Sequence, residues 1–125
     1  MSAAATRSEL VVADAVVAGV AARAAAAVHG VVRVEPGLRG LVAELTRAGR
    51  QLWTGFETAP TDGVRVLRDD GVLAVQLEIA IGPERHAGVV ATAVQHGVIQ
   101  TVREQTGVRI DEVSVLVVDI EPEAR

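Results

Sequence analysis

The chain has 125 residues, a formal net charge of −4 and no cysteine. This length fits one domain with one hydrophobic core, which we predict over residues 1–125. The acidic balance disfavours a nucleic-acid-binding protein, because such proteins need a basic surface. The lack of cysteine excludes disulfides, thiolate catalysis and cysteine metal sites. The sequence has no recognisable secretory signal or spanning segment, so we expect a cytoplasmic protein.

The first third of the chain is predicted to contain a strand, a helix and a second strand. Residues 9–12 read as a short strand and residues 13–28 as a helix that ends at a glycine, the usual helix terminator. Val31–Glu35 is the second strand. The two ends of the chain, residues 1–8 and 121–125, are small or polar and are predicted to be flexible.

A second helix is predicted over residues 38–56, where an apolar stripe and an arginine-rich face follow a period of about 3.6 residues. With the loop after it, this helix forms a variable insert over residues 36–63. It either docks on the sheet of its own chain or contacts a partner or an anionic membrane surface. The candidate residues of this partner or membrane surface are Leu52, Trp53, Phe56, Arg39, Arg47 and Arg50.

The second half of the chain is predicted to form two strands, a long helix and a last strand. Residues 64–67 and Val72–Ile81 are strands joined through an Asp-Gly turn, a strong hairpin signal. Residues 85–106 are the long helix, and residues 110–120 are the last strand. The order β-α-β-α-β-β-α-β predicts an α+β fold, a two-layer α/β sandwich with a mixed sheet and helices packed on it.

Hydrophobic spacing predicts which helix faces meet the core. In the first helix these residues are Val16, Val17, Val20, Ala24, Ala27 and Val28. In the long helix they are Val89, Val90, Ala93, Val94, Gly97, Val98 and Val102. The last strand is apolar on both sides, so both of its faces are expected to be covered.

The opposite face of the first helix carries only small residues. Small residues allow close approach of a second subunit, but alanine is also simply the best helix former. The candidate self-association residues are Ala15, Ala18, Gly19, Ala22 and Ala26, with Leu116 and Val118 of the last strand.

No catalytic, cofactor-binding or metal-binding constellation is predicted. His86 and His96 are ten residues apart on one predicted helix and differ in direction by roughly 80°, so they do not form an i, i+4 metal pair. His29 ends a helix, and Asp69 and Asp70 belong to the hairpin turn, where Asp is favoured locally. An enzyme that uses His86 or His96 with a nearby carboxylate would require strongly perturbed groups converging in a cleft.

Two stretches resemble the bacterial alkaline-shock, general-stress protein family. Residues 10–36, LVVADAVVAGVAARAAAAVHGVVRVEP, are similar to the family's opening strand, helix and turn. The strand, helix and closing strand of the second half are similar as well. The matching residues are Val16, Val17, Val20, Ala21, Ala24, Val28, Gly30, Val31, Val94, Gln95, Thr106, Gly107, Val113, Val115 and Val117.

The resemblance implies a non-enzymatic cytoplasmic protein of the envelope-stress response, without a cofactor. Family members self-associate and are held near the inner face of the membrane by an anchor protein. Our first hypothesis is therefore a protein that acts through self-association, as a homo-oligomer, and through protein–protein contact. The alternative is a small-ligand or nucleic-acid binding module, and a polar-lined pocket would favour the small ligand.

Overall fold

A computed structural model describes residues 11–35 and 63–121. Within these residues lie two helices and four strands in one sheet, and most strand pairings are antiparallel, which confirms the α+β class. The elements in chain order are α1 (Asp14–Ala26), β1 (Val31–Glu35), β2 (Val64–Asp69), β3 (Val72–Ile81), α2 (Ala87–Thr106) and β4 (Glu112–Ile120).

The sheet is built around β3. Strand β4 runs parallel to β3 and pairs with it from Ala74 to Ile81, which occupies one edge of β3. Strands β1 and β2 are both antiparallel to β3 and therefore share its other edge. Glu35 lies opposite Glu78, and Val64 lies opposite the neighbouring Leu77. The two short strands thus lie end to end along a single edge.

Several predicted strands are confirmed. Val31–Glu35 and Val72–Ile81 have the predicted bounds. The hairpin is present, with φ of 51° at Asp70 and 81° at Gly71, the pair of positive values that a type I′ turn requires. The predicted strand over residues 9–12 is wrong at Val11 and Val12, which are not in a strand, and its other residues lie outside the described part. The predicted helix 38–56 lies outside it too.

Both helices contribute to one hydrophobic core on one face of the sheet. From the sheet come the alternate residues of β3, which point to the same side because side chains alternate along a strand. From α2 comes a row at spacing i, i+4, which lies along one side of a helix. The central buried residues are Val17, Ala21, Ala25, Val75, Leu77, Ile79, Val90, Val94, Val98 and Val102.

The predicted core faces of the helices are wrong at several positions. Val16 of α1 and Ala27, which directly follows α1, are exposed, although spacing placed them in the core. In α2, Val89 is 65% exposed and Ala93 is exposed as well. Both α2 residues lie about 100° around the helix from the buried Val90–Val102 row. Ile99, on the other side of this row, packs against the core instead.

Candidate contact surfaces

The first candidate surface, the partner or membrane surface of the predicted helix 38–56, lies outside the residues that the structure describes. Its members are Leu52, Trp53, Phe56, Arg39, Arg47 and Arg50. The choice between docking on the chain's own sheet and docking on a partner therefore stays a prediction for this helix.

The second candidate surface, the small-residue face of α1, is divided by the packing of the helix. Ala18, Gly19 and Ala22 are buried, whereas Ala15 and Ala26 are exposed. The physical reason is that α1 contacts β1, β2 and α2 at once, so that more than half of its circumference is covered. The five residues do not form one continuous free surface, and the prediction that they line a face opposite the core is wrong.

The third candidate surface is the end of β4. Leu116 is half-buried and lies opposite Glu78 of β3. Val118 is 39% exposed and is the extra residue of a bulge, because Val117 pairs with Ile79 and Asp119 with the next residue, Ala80. This strand therefore offers apolar groups that its own chain covers only in part.

The polar side of β3 is buried, which hydrophobic alternation did not predict. Gln76 is 3% exposed and Glu78 is 4% exposed, and both point away from the α1–α2 layer. Burying a carboxylate or an amide is unfavourable unless it has polar partners. A signal for this burial was present in the sequence. Two other residues on the same face of β3, Ala74 and Ala80, are small and apolar, and both are also buried.

A charged cluster crosses this polar side of the sheet. Arg33 Nη2 of β1 lies 2.7 Å from Oε2 of Glu35, and Arg33 Nη1 donates a hydrogen bond to Oε2 of Glu121, which follows β4. The hydrogen bond to Glu121 is the main cause that raises the pKa of the Arg33 guanidinium above its ordinary value, and the charge of Glu35 adds to it. Arg33 thereby links β1 to the end of β4 across β3.

The three histidines have separate structural surroundings. His86 precedes α2, where its Nδ1 accepts a hydrogen bond of 3.3 Å from the backbone N–H of Val89 and so caps the helix. His29 and His96 are exposed. Across residues 11–35 and 63–121, no three His, Asp or Glu side chains are grouped so that they could hold a metal ion.

An open groove of about 730 Å³ lies where α1 begins and α2 ends. Its polar wall is an ion pair: Nε and Nη2 of Arg68 donate to Oδ1 of Asp14 at 3.0 and 2.8 Å. The carboxylate of Asp14 also lies in the first turn of α1, where the helix dipole favours a negative charge. These charges neutralise each other, so the groove does not offer a free charge to a ligand. The lining residues are Val11, Val12, Ala13, Asp14, Arg68, Thr106, Gly107 and Val108.

Comparison with known protein families gives a match that covers nearly the whole chain. A model of the alkaline shock protein family, described as having a cell envelope-related function, matches residues 2–122, which confirms the resemblance carried by the sequence motifs. Neither a curated protein nor a solved structure matches the chain. Of the helices in the described ranges, none has both the length and the apolar character needed to cross a membrane.

Proposed function

The chain belongs to the alkaline shock protein family, and from this membership we propose that it is a non-enzymatic envelope-stress protein that acts by self-association and protein–protein contact near the membrane. The match over residues 2–122 carries the proposal, because it spans nearly the whole chain rather than one motif. The family itself has a cell envelope-related function and is linked to the stress response.

The chemistry of the described side chains supports contact rather than catalysis. His86 is engaged as a helix cap, and Arg68 and Arg33 are engaged with carboxylates. A general acid or base must be within reach of a substrate proton, whereas these groups serve the packing of the chain. The groove beside Asp14 has its charges already paired, so no observation favours the alternative of a small-ligand module.

For the envelope role, the informative experiment is a gene deletion. We expect cells that lack the chain to be more sensitive to compounds that attack the cell wall or membrane, and unchanged towards an inhibitor of translation. Re-expression of the chain should restore growth. Equal sensitivity of the deletion and parent strains to every envelope stress would remove the proposal.

For self-association, the informative measurement is the solution mass over a concentration series. We expect the mass to rise above that of one 13.0 kDa chain as the concentration increases. A mass that stays at the monomer value at high concentration would remove the assembly part of the proposal and leave the envelope role standing.

For the position near the membrane, we propose that a membrane-anchored partner protein holds the chain at the inner face, with Trp53 and Phe56 of the predicted helix 38–56 in the contact. Three arginines against one glutamate give only a weakly basic face, so direct binding to anionic vesicles is expected to be weak. Trp53→Ala should reduce recovery of the chain with the membrane fraction of cells. Unchanged recovery of this variant would count against a contact through this helix.

A further inference from the structure

The outer edge of β4 has the geometry of a strand that accepts another strand. In the part of the chain that the structure describes, β4 pairs with β3 alone. Both backbone groups of Leu73 bond to Asp111, and the carbonyl of Ile81 accepts from the N–H of Glu121 at 2.9 Å, so the odd-numbered residues of β3 point their backbone groups towards β4. In parallel strands, neighbours on the same face of the sheet point their backbone groups in the same direction, so Val113, Val115 and Val117, which pair with Val75, Leu77 and Ile79, point theirs away from β3 and outward.

The sequence of this edge lacks the usual protection against pairing. Exposed edge strands are commonly blocked by lysine, by proline or by a charge in the middle of the strand. The six residues Val113–Val118, VSVLVV, have none of these and have high strand propensity. The acidic residues of β4, Glu112 and Asp119, lie at its two ends.

We propose that β4 pairs with β4 of a second copy of this chain, antiparallel, about a two-fold axis that passes beside Val115. The inference rests on the proposed self-association and names the surface that performs it. In this register Val115 faces its own counterpart, Val113 faces Val117 and Ser114 faces Leu116. The two four-stranded sheets then continue into one sheet, and the helices of both copies stay on the same side.

The charges of β4 favour this register over the adjacent alternative. A pairing shifted by one residue would place Glu112 opposite Asp119 of the other copy, and like charges directly opposite are destabilising. It would also join residues whose backbone groups point in unlike directions. Centring on Val115 instead leaves the bulge residue Val118 at the end of the paired segment and brings together β-branched side chains, which form favourable cross-strand pairs.

A second copy fits this edge better than an unrelated peptide because the strand is complementary to itself. On the core side, Val113, Val115 and Val117 are spaced so that an antiparallel copy meets valine with valine. On the opposite face of the sheet, Ser114 of each copy lies opposite Leu116 of the other copy. A two-fold symmetric contact requires this kind of self-complementarity.

Disulfide trapping tests the position of the contact directly, because the chain has no cysteine of its own. Residues 115 of the two copies would form a hydrogen-bonded pair with Cα atoms about 5.5 Å apart, within the range that a disulfide spans. We expect Val115→Cys to give mainly a covalent dimer under mild oxidation. The control Val32→Cys replaces an exposed valine of β1, which lies on the opposite edge of the sheet from β4. This variant should stay mainly monomeric.

The outcomes separate this inference from the proposed function. If the wild-type mass rises with concentration but Val32→Cys cross-links and Val115→Cys does not, the chain associates elsewhere: the edge contact is wrong and self-association stands. If the wild-type mass stays at the monomer value, the edge contact and self-association are both wrong, and the envelope role stands. A covalent Val115→Cys dimer together with a rising wild-type mass supports both.

A second variant measures the contact without oxidation. Ser114→Lys places a long charged side chain at a half-buried position in the middle of this edge strand, a device by which natural proteins block strand pairing. We expect the dissociation constant of the dimer to rise roughly ten-fold or more, while the circular dichroism spectrum keeps its folded shape. Ala93→Lys, at an exposed position of α2, is the matched control and should not change it. An unchanged constant for a folded Ser114→Lys would overturn the edge contact.

Discussion

Gly30 and Gly97 differ in what an added methyl group would meet. At Gly30, φ is +102° and a Cβ atom would lie 3.0 Å from Cγ2 of Val90, whereas at Gly97 it would lie 3.5 Å from Cγ2 of Val28, an ordinary contact. We expect Gly30→Ala to lower the free energy of unfolding by about 2 kcal/mol. Gly97→Ala should leave it unchanged or raise it by up to about 1 kcal/mol, because alanine is the better helix former. Urea denaturation measures both.

Gly107 is the control that separates two causes of destabilisation at Gly30, the positive φ and the close approach of a Cβ atom to Val90. It also has a positive φ, +78°, but a Cβ atom there would meet nothing within 4 Å. Gly107→Ala should therefore show the backbone penalty alone, about 1 kcal/mol. If Gly30→Ala is no less stable than Gly107→Ala, the close approach to Val90 contributes nothing.

Asp111 fixes the start of β4 by accepting a hydrogen bond. Its Oδ2 takes the backbone N–H of Leu73 at 2.9 Å, while its own N–H donates to the carbonyl of the same residue. Asp111→Ala removes the side-chain acceptor, and we expect the free energy of unfolding to fall by about 1–2 kcal/mol. Asp111→Asn keeps an acceptor oxygen and should lose less. Equal losses of unfolding free energy in the two variants would show that the hydrogen bond to the Asp111 side chain does not stabilise the fold.

Within α2, burial rather than residue type should decide the effect of truncating a valine. Val94 is fully buried in the core row, whereas Val89 lies outside it. We expect Val94→Ala to lower the free energy of unfolding by about 2 kcal/mol, since it removes buried methyl groups and leaves a cavity. Val89→Ala should change it by less than about 0.5 kcal/mol. Thermal or urea unfolding compares them, and similar losses would contradict the observed orientation of α2.

The strands could be predicted from the sequence better than the helix faces could. Alternation and the Asp-Gly turn defined Val31–Glu35, Val72–Ile81 and the hairpin between β2 and β3, because both signals are local. The core side of α1 could not be predicted in the same way. In a helix made largely of alanine and valine every side is apolar, and the contacts with β1, β2 and α2 decide which residues are covered.

The candidate surfaces could be predicted only in part, for a related reason. Leu116 and Val118 drew attention because the last strand is apolar on both sides, and they do lie where the chain covers β4 incompletely. The burial of Gln76 and Glu78 could not be predicted, since a polar residue that alternates with apolar ones is typical of a solvated face. Burial of a second face depends on tertiary packing, which a period of two does not encode.

At the scale of the whole molecule, the contact of Arg33 with Glu121 joins the first strand to the end of the last one. We expect Glu121→Gln to lower the melting temperature slightly, because the chain loses an ion pair that is partly exposed to solvent. The raised pKa of Arg33 means that its contribution is complete at lower pH and is lost only as the pH rises through that value. That region lies far above mildly alkaline pH.

The difference in melting temperature between wild type and Glu121→Gln should therefore be the same at neutral and at mildly alkaline pH. Circular dichroism melts at both pH values measure it, with Glu104→Gln, an exposed change on α2, as the control. A difference that disappears under mildly alkaline conditions would contradict a persistently charged guanidinium at this position.

The family could be predicted from the order of the hydrophobic segments, although single motifs were weak. Val94-Gln95 and Thr106-Gly107 have structural roles: Gln95 Nε2 donates to the carbonyl of Val113 at 3.2 Å, and Gly107 ends α2 with a positive φ. Such residues join α2 to β4 and fix the length of the helix. The family could therefore be predicted from the whole pattern. The partner and the contact surfaces could not, because they depend on parts of the molecule that meet only after folding.

Because β1 and β2 lie end to end on one edge of β3, the number of residues between them does not determine the register of the sheet. Val64 occupies the position on β3 that the residue after Glu35 would take in an uninterrupted strand. Each half is aligned by its own hydrogen bonds, so residues inserted or removed between them need not shift any pairing. Closing a longer connection costs only about 0.6 kcal/mol per doubling of its length. A tag or reporter could therefore be spliced into this interval, and homologous chains could differ in length here while they keep the same sheet.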